Sequence, residues 1–318
     1  MKYWFICILS FLAAITSAQD CSQTSTGFIP IADLAKNTFQ GFTGGKYPGG
    51  SNSIPAEHYK NGMQACNKIQ PLDADGKIDS INGSIGFLVL GFSTAAMTGR
   101  YFRDLSAIMN INDRIKIIIG AQGGKDINSM TFAESRYWFN CDSIIRSKQL
   151  TSEQIQVAWV TTGDIRSYQL PFPEQSTQQI EKYRNTILNI KKFYPNIQCI
   201  FISDRTYAGY IPEGKGPQDL REPTAYYSSW AVKWLIEKQI EKTAGFSYEE
   251  IPFIDWGPLL WTDGEKGNAR GYTWDCVDAD KGGIHPTSKG RAKEAILLYH
   301  FFTNHPYTKR WFYAEQNK

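Results

Sequence analysis

The stretch IGFLVLGFS, Ile85 to Ser93, carries no charge and stops on Gly91, Phe92 and a serine. A short run this rich in β-branched and aromatic residues reads as a strand buried on both faces. Four later runs have the same texture: RIKIIIGAQ (Arg114 to Gln122), IQVAWVTT (Ile155 to Thr162), IQCIFIS (Ile197 to Ser203) and IPFIDWG (Ile251 to Gly257). Between them lie segments with helical spacing. Gln175 to Asn196 sets Ile180, Tyr183, Ile187 and Ile190 on one stripe, closed by Pro195 and Asn196. Ala225 to Lys242 offers Trp230, Val232, Leu235 and Ile236, and Arg291 to Phe302 supplies a last helix. Strands alternating with helices predict an α/β fold with a mostly parallel five-stranded sheet between helix layers, and ligands gathered at the carboxyl ends of the strands.

Ahead of the first strand the texture differs. The start, MKYWFICILSFLAAITSAQD, has a lysine, an apolar run and then small residues, the layout of a cleavable export signal spanning residues 1–18. No later stretch approaches the ~20 apolar residues of a membrane span. Residues 19–83 are glycine-rich and full of turn formers, which predicts a lead-in loop packed on a domain covering 84–318. Loss of residues 1–18 removes Lys2 alone, so the formal charge falls from +3 to +2, too little to argue for nucleic acid or an acidic membrane as partner. Five cysteines remain after Cys7 is gone, which allows at most two internal bridges and one leftover thiol, at spacings that fit no zinc knuckle.

Three places along this framework suit chemistry. Ser93, at the end of the first strand, is placed as a nucleophile, although Ala95 stands where the α/β-hydrolase elbow needs glycine. GAQGG, Gly120 to Gly124, ends the second strand, and its paired glycines let backbone amides of Gly123 and Gly124 approach a ligand as oxyanion donors. His285 in GGIHP precedes the last helix and is sited as a general base near pH 7. Gln122, Arg205, Tyr207 and Trp261 are the candidate substrate contacts, because aromatic rings with interleaved polar groups suit a sugar face.

These blocks, in this order, give the chain a family likeness. GFST (Gly91 to Thr94), GAQGG, SDRTYAGY (Ser203 to Tyr210), WGPLLWTDG (Trp256 to Gly264) and GGIHPTS resemble the motifs of a secreted branch of the SGNH (GDSL-like) hydrolase superfamily, and YPGGSN with Glu57 and His58 fits as well. The resemblance implies a three-layer αβα sandwich of flavodoxin-like type, Ser93 as nucleophile, His285 as base, and the amides of Ser93 and Gly123 as an oxyanion hole. It implies no cofactor and no metal. The implied activity is that of a secreted serine esterase taking a small acyl group, such as acetyl, from a carbohydrate or similar ester. Two departures qualify it. The superfamily's oxyanion asparagine has no counterpart after the third strand, which runs into Thr161, Thr162, Gly163 and Asp164. Its aspartate, expected three residues before the histidine, is Gly282 here; Asp278 and Asp280 are the replacements that a curled loop would bring to the ring. If neither does, the alternative is a carbohydrate-binding protein on an impaired hydrolase scaffold.

Overall fold

The computed structural model describes residues 19–167, 169–213 and 220–313. The export signal expected at 1–18 lies outside them. In chain order the elements are α1 (Ile31–Leu34), a short hairpin of β1 (Thr38–Phe39) and β2 (Phe42–Thr43), and α2 (Ala56–Cys66). Then come β3 (Ile85–Gly91), α3 (Ser93–Ile108), β4 (Ile115–Ile119), α4 (Ile127–Met130) and α5 (Arg136–Ser147). The second half holds β5 (Ile155–Thr161), α6 (Glu174–Phe193), β6 (Cys199–Ser203), α7 (Thr224–Ile240), β7 (Phe253–Trp256), α8 (Ser288–Asn304) and α9 (Lys309–Phe312).

All five expected strands form, and they make one parallel sheet in the order β4-β3-β5-β6-β7. Alternation along the strands sends side chains to two cores. Leu88, Leu90, Ala158, Val160, Ile200 and Ile202 face α5, α6 and α7, while Phe87, Val89, Val157, Trp159 and Phe201 face α2, α3 and α8. The result is the three-layer αβα sandwich that the strand and helix pattern predicted. Because β3 pairs with β4 on one side and β5 on the other, the chain reverses its winding direction there. That switch point is where open α/β sheets place their ligands, and Ser93 begins the helix that leaves it.

The lead-in is more structured than its turn formers suggested. His58, Gly62 and Cys66 recur every four residues and are buried, making α2 an amphipathic helix laid on the β7 edge. Pro55, Asn61 and Gly62 obscured that stripe in the sequence. One disulfide, Cys21–Cys276, fastens the lead-in to the loop before α8, and Cys66, Cys141 and Cys199 are free and buried. Among the described residues no helix is long and apolar enough to cross a membrane.

Candidate active site

Ser93 is the first residue of α3, reached through a backbone that only glycine tolerates at the preceding strand end. Gly91 has φ 133°, and a Cβ there would lie 2.0 Å from the Thr161 carbonyl oxygen on β5. Starting a sixteen-residue helix, Ser93 has around it the unpaired amides and the positive end of the helix dipole. The second glycine block extends the ladder past the end of β4: the Gln122 amide donates to the Gly91 carbonyl at 3.0 Å. This brings the Gly123–Gly124 turn alongside the Ser93 strand end. Gly123 has open space around it and Gly124 has φ 67°.

His285 comes to Ser93 from 192 residues away, with Nε2 2.9 Å from the serine Oγ. Its Nδ1 faces Asp280 Oδ2 at 3.3 Å, an ion-pair contact longer than a tight charge-assisted hydrogen bond. The loop between them curls as the missing acid required. Asp280 Oδ1 accepts the backbone N–H groups of Gly282, Ile284 and His285 at 3.1 to 3.2 Å, and the Asp280 amide donates to the His285 carbonyl at 2.7 Å. Gly283 makes the curl possible. It has φ 70°, and a Cβ there would strike the Tyr210 carbonyl at 2.2 Å. One carboxylate therefore both closes the turn and stands at the ring.

Asp278, the other replacement considered, is not at the ring. It is fully buried, accepts the Asp275 amide at 2.8 Å and pairs with Lys293, with Lys289 3.6 Å away. It caps a helical turn and ties it to α8, which leaves Asp280 as the carboxylate brought to His285.

Ser93 opens into a cavity of about 50 Å³ walled by Phe92, Arg205, Thr206, Tyr207, Trp274 and Ile284. This is roughly a third of a cavity that admits benzene, so it holds two or three heavy atoms. Arg205 lies with its guanidinium 5.8 Å from the Phe92 ring centroid and donates from Nη2 to the Leu220 carbonyl at 2.7 Å. Its side chain runs beside Gly163, where a Cβ would approach Cδ at 2.8 Å. Tyr207 lines the same cavity, with its hydroxyl donated to the Gln23 carbonyl of the lead-in at 2.6 Å.

Two of the expected substrate contacts lie elsewhere. Gln122 turns its side chain inward, donating to the Tyr137 carbonyl at 2.9 Å and accepting from Asn140 at 2.8 Å, so it props the glycine turn. Trp261 is 1% exposed, donates to Glu222 at 2.9 Å and packs on Tyr226, outside the Ser93 cavity. Directly after β5, at Thr161 to Asp164, Thr161 donates to the Asp204 carbonyl, Thr162 is buried, and Asp164, against the raising effect of its burial, is held below the usual carboxylate range by Lys182 and Asn128. Thr206 was missed by sequence reasoning, although it sits between Arg205 and Tyr207 in a quoted block. Its hydroxyl is held by Glu294 of α8, whose other oxygen holds Thr98 of α3.

No protein-family model and no curated protein sequence matches the chain. Among solved structures, the periplasmic domain of a lipopolysaccharide acetyltransferase from Salmonella ser. Paratyphi A is similar at a TM-score of 0.38 and 14% identity, over 80% of this chain and 97% of that one. So distant a likeness carries nothing about activity, which rests on the geometry of this chain.

Proposed function

We propose that the chain is an exported serine esterase that removes a short acyl group, of acetyl size, from a hydroxylated molecule such as a carbohydrate. The observation that carries this reading is the alignment of Ser93 Oγ, His285 and Asp280 at 2.9 and 3.3 Å on the wall of a cavity of about 50 Å³.

Ser93 Oγ attacks the ester carbonyl carbon as His285 Nε2 takes its proton. The negative charge that develops on the carbonyl oxygen meets the Ser93 amide at the start of α3 and the Gly123 amide of the turn after β4. Collapse breaks the ester bond, the leaving alcohol takes the proton back from His285, and the acyl group stays on Ser93. Water then attacks with His285 again as base, releasing the carboxylic acid and free serine. Asp280 holds the imidazole ring in line and favours its charged form during both transfers. Arg205 stands beside Gly163 in the region expected to carry the family's amide donor, and takes over that electrostatic role. The curl that brings Asp280 to the ring favours catalysis over the impaired, purely binding scaffold that Gly282 suggested.

In the test, Ser93→Ala lowers hydrolysis of p-nitrophenyl acetate by about 10⁴-fold or more, and wild-type kcat/KM falls as the acyl chain grows from acetyl to octanoyl. Unchanged acetate release in the variant would remove Ser93 from the mechanism. A preference for octanoyl would remove the short-acyl assignment.

A further inference from the structure

Beside the Ser93 cavity lies a second, larger one of about 300 Å³, at the lower end of the range of small-molecule sites, about 300 to 1,000 Å³. The two stand back to back. Asp204 faces the larger cavity and Arg205 the smaller, and Tyr272 and Trp274 divide in the same way. Tyr207 and Trp261, one lining each cavity, have ring centroids 6.3 Å apart. Both cavities sit at the carboxyl end of the sheet, and the larger is roofed by the lead-in residues Pro30 to Asp33.

Its lining has two characters. Ile31, Leu259, Leu297 and Phe301 give it an apolar side. Asp33, Asn268 and Arg270 give it a polar one, and the Asp33 Oδ2 contact with the Ala269 amide at 2.8 Å holds these loops together. Tyr272 also lines it.

This combination selects its ligand. A hydrocarbon chain would desolvate Asp33 and Arg270 without replacing their hydrogen bonds. An anion would meet the carboxyl groups of Asp33 and Asp204. A pyranose ring presents C–H faces to the apolar and aromatic side and a rim of hydroxyls, each both donor and acceptor, to the polar side. We propose that this cavity is a binding site for a neutral sugar unit, placed to hold a glycan next to the ester pocket. The glycan's relation to Ser93 rests on the esterase reading, whereas sugar binding itself does not require Ser93.

The full chain carrying Ser93→Ala is titrated calorimetrically with four neutral hexasaccharides, of β-1,4-linked glucose, xylose, mannose and N-acetylglucosamine, and with the acidic hexamer of galacturonate. At least one neutral hexamer binds the variant and the wild type alike, and the acidic one binds more weakly. Arg270→Ala and, independently, Leu259→Trp, which fills the cavity, each weaken that binding by about tenfold or more, with thermal unfolding checked to confirm a folded chain. No heat from any neutral hexamer at about 10 mM, tighter binding of galacturonate, or binding that survives both substitutions overturns the proposal. Sugar binding by a wild type that hydrolyses no acetyl ester sinks the esterase reading alone; acetyl-ester hydrolysis without sugar binding sinks the cavity assignment alone.

Discussion

His285 with Asp280 at the carboxyl end of the sheet, and His58 with Asp255 at its β7 edge, pair the same two residue types at 3.3 and 3.7 Å. Their surroundings make them opposites. The first pair is 33% and 41% exposed, and its second ring nitrogen faces a serine on a cavity wall. The second pair is fully buried: His58 Nδ1 meets the Tyr248 hydroxyl at 2.8 Å, and Asp255 accepts from Tyr47 at 3.0 Å and from the Trp256 amide at 2.7 Å. Burial alone would raise the Asp255 carboxyl, yet His58, Lys46 and His305 hold it below the usual range. Under the proposed mechanism a histidine–aspartate pair is a reagent or a rivet according to what the other nitrogen faces and whether solvent reaches it.

The sharpest way to break this contrast is to remove each histidine. His285→Ala is expected to lower acetyl-ester hydrolysis by about 10⁴-fold or more with little change in Tm. His58→Ala leaves Asp255 buried without its partner and is expected to destabilise the fold by about 3 to 5 kcal/mol. Hydrolysis per folded molecule then stays within a few-fold of wild type. Steady-state kinetics beside urea titrations check both, and a reversal of the two patterns ends the distinction.

The next contrast lies within one loop. Asp280→Asn is expected to lower kcat by about 10²-fold or more while KM changes little. Asp278→Asn loosens the tie to α8, costing about 1 to 3 kcal/mol of stability with no comparable loss of rate. Equal kinetic losses in the two variants would return the choice of acid to open ground.

The parallel sheet was legible because its strands are continuous apolar runs and its helices keep a clear period. Ser93 and His285 stood out because each follows or precedes an element end. The acid was harder to place. A search by spacing stops at Gly282, because spacing along a chain cannot show a loop folding back through a positive-φ glycine such as Gly283. Trp261 shows a different limit. Its type and its block suit a sugar contact, yet the ring lines the larger cavity and not the one at Ser93, with its indole N–H donated to Glu222. Residue type does not say which side of a wall a ring occupies.

A smaller effect concerns pH. Burial pushes the Glu294 carboxyl up to about 7, against the lowering pull of the Thr206 and Thr98 hydroxyls, from an ordinary value of 4.5. Between those values the folded protein keeps a proton that the unfolded chain releases. The resulting stabilisation is full below pH 4.5 and is lost as pH rises through 7. Carboxyls held low, such as Asp164 and Asp275, act the other way: their contribution is present above 3.8 and fades on acidification. Tm measured from pH 4.5 to 7.5 should fall less steeply in Glu294→Gln than in wild type; identical slopes would mean that Glu294 titrates alike in both states.

The Cys21–Cys276 bridge joins positions 255 residues apart, just as Ser93 and His285 are joined across 192. Contacts of such long range are the slow part of folding. While the chain is being synthesised, Ser93 emerges long before His285, so on the esterase reading no partly made chain can attack an ester. On refolding with the disulfide reduced, helix and sheet signals should return before esterase activity does. On that reading activity is a clock for the final closure that joins Ser93 to His285, and tryptophan fluorescence run beside acetate release would read the interval.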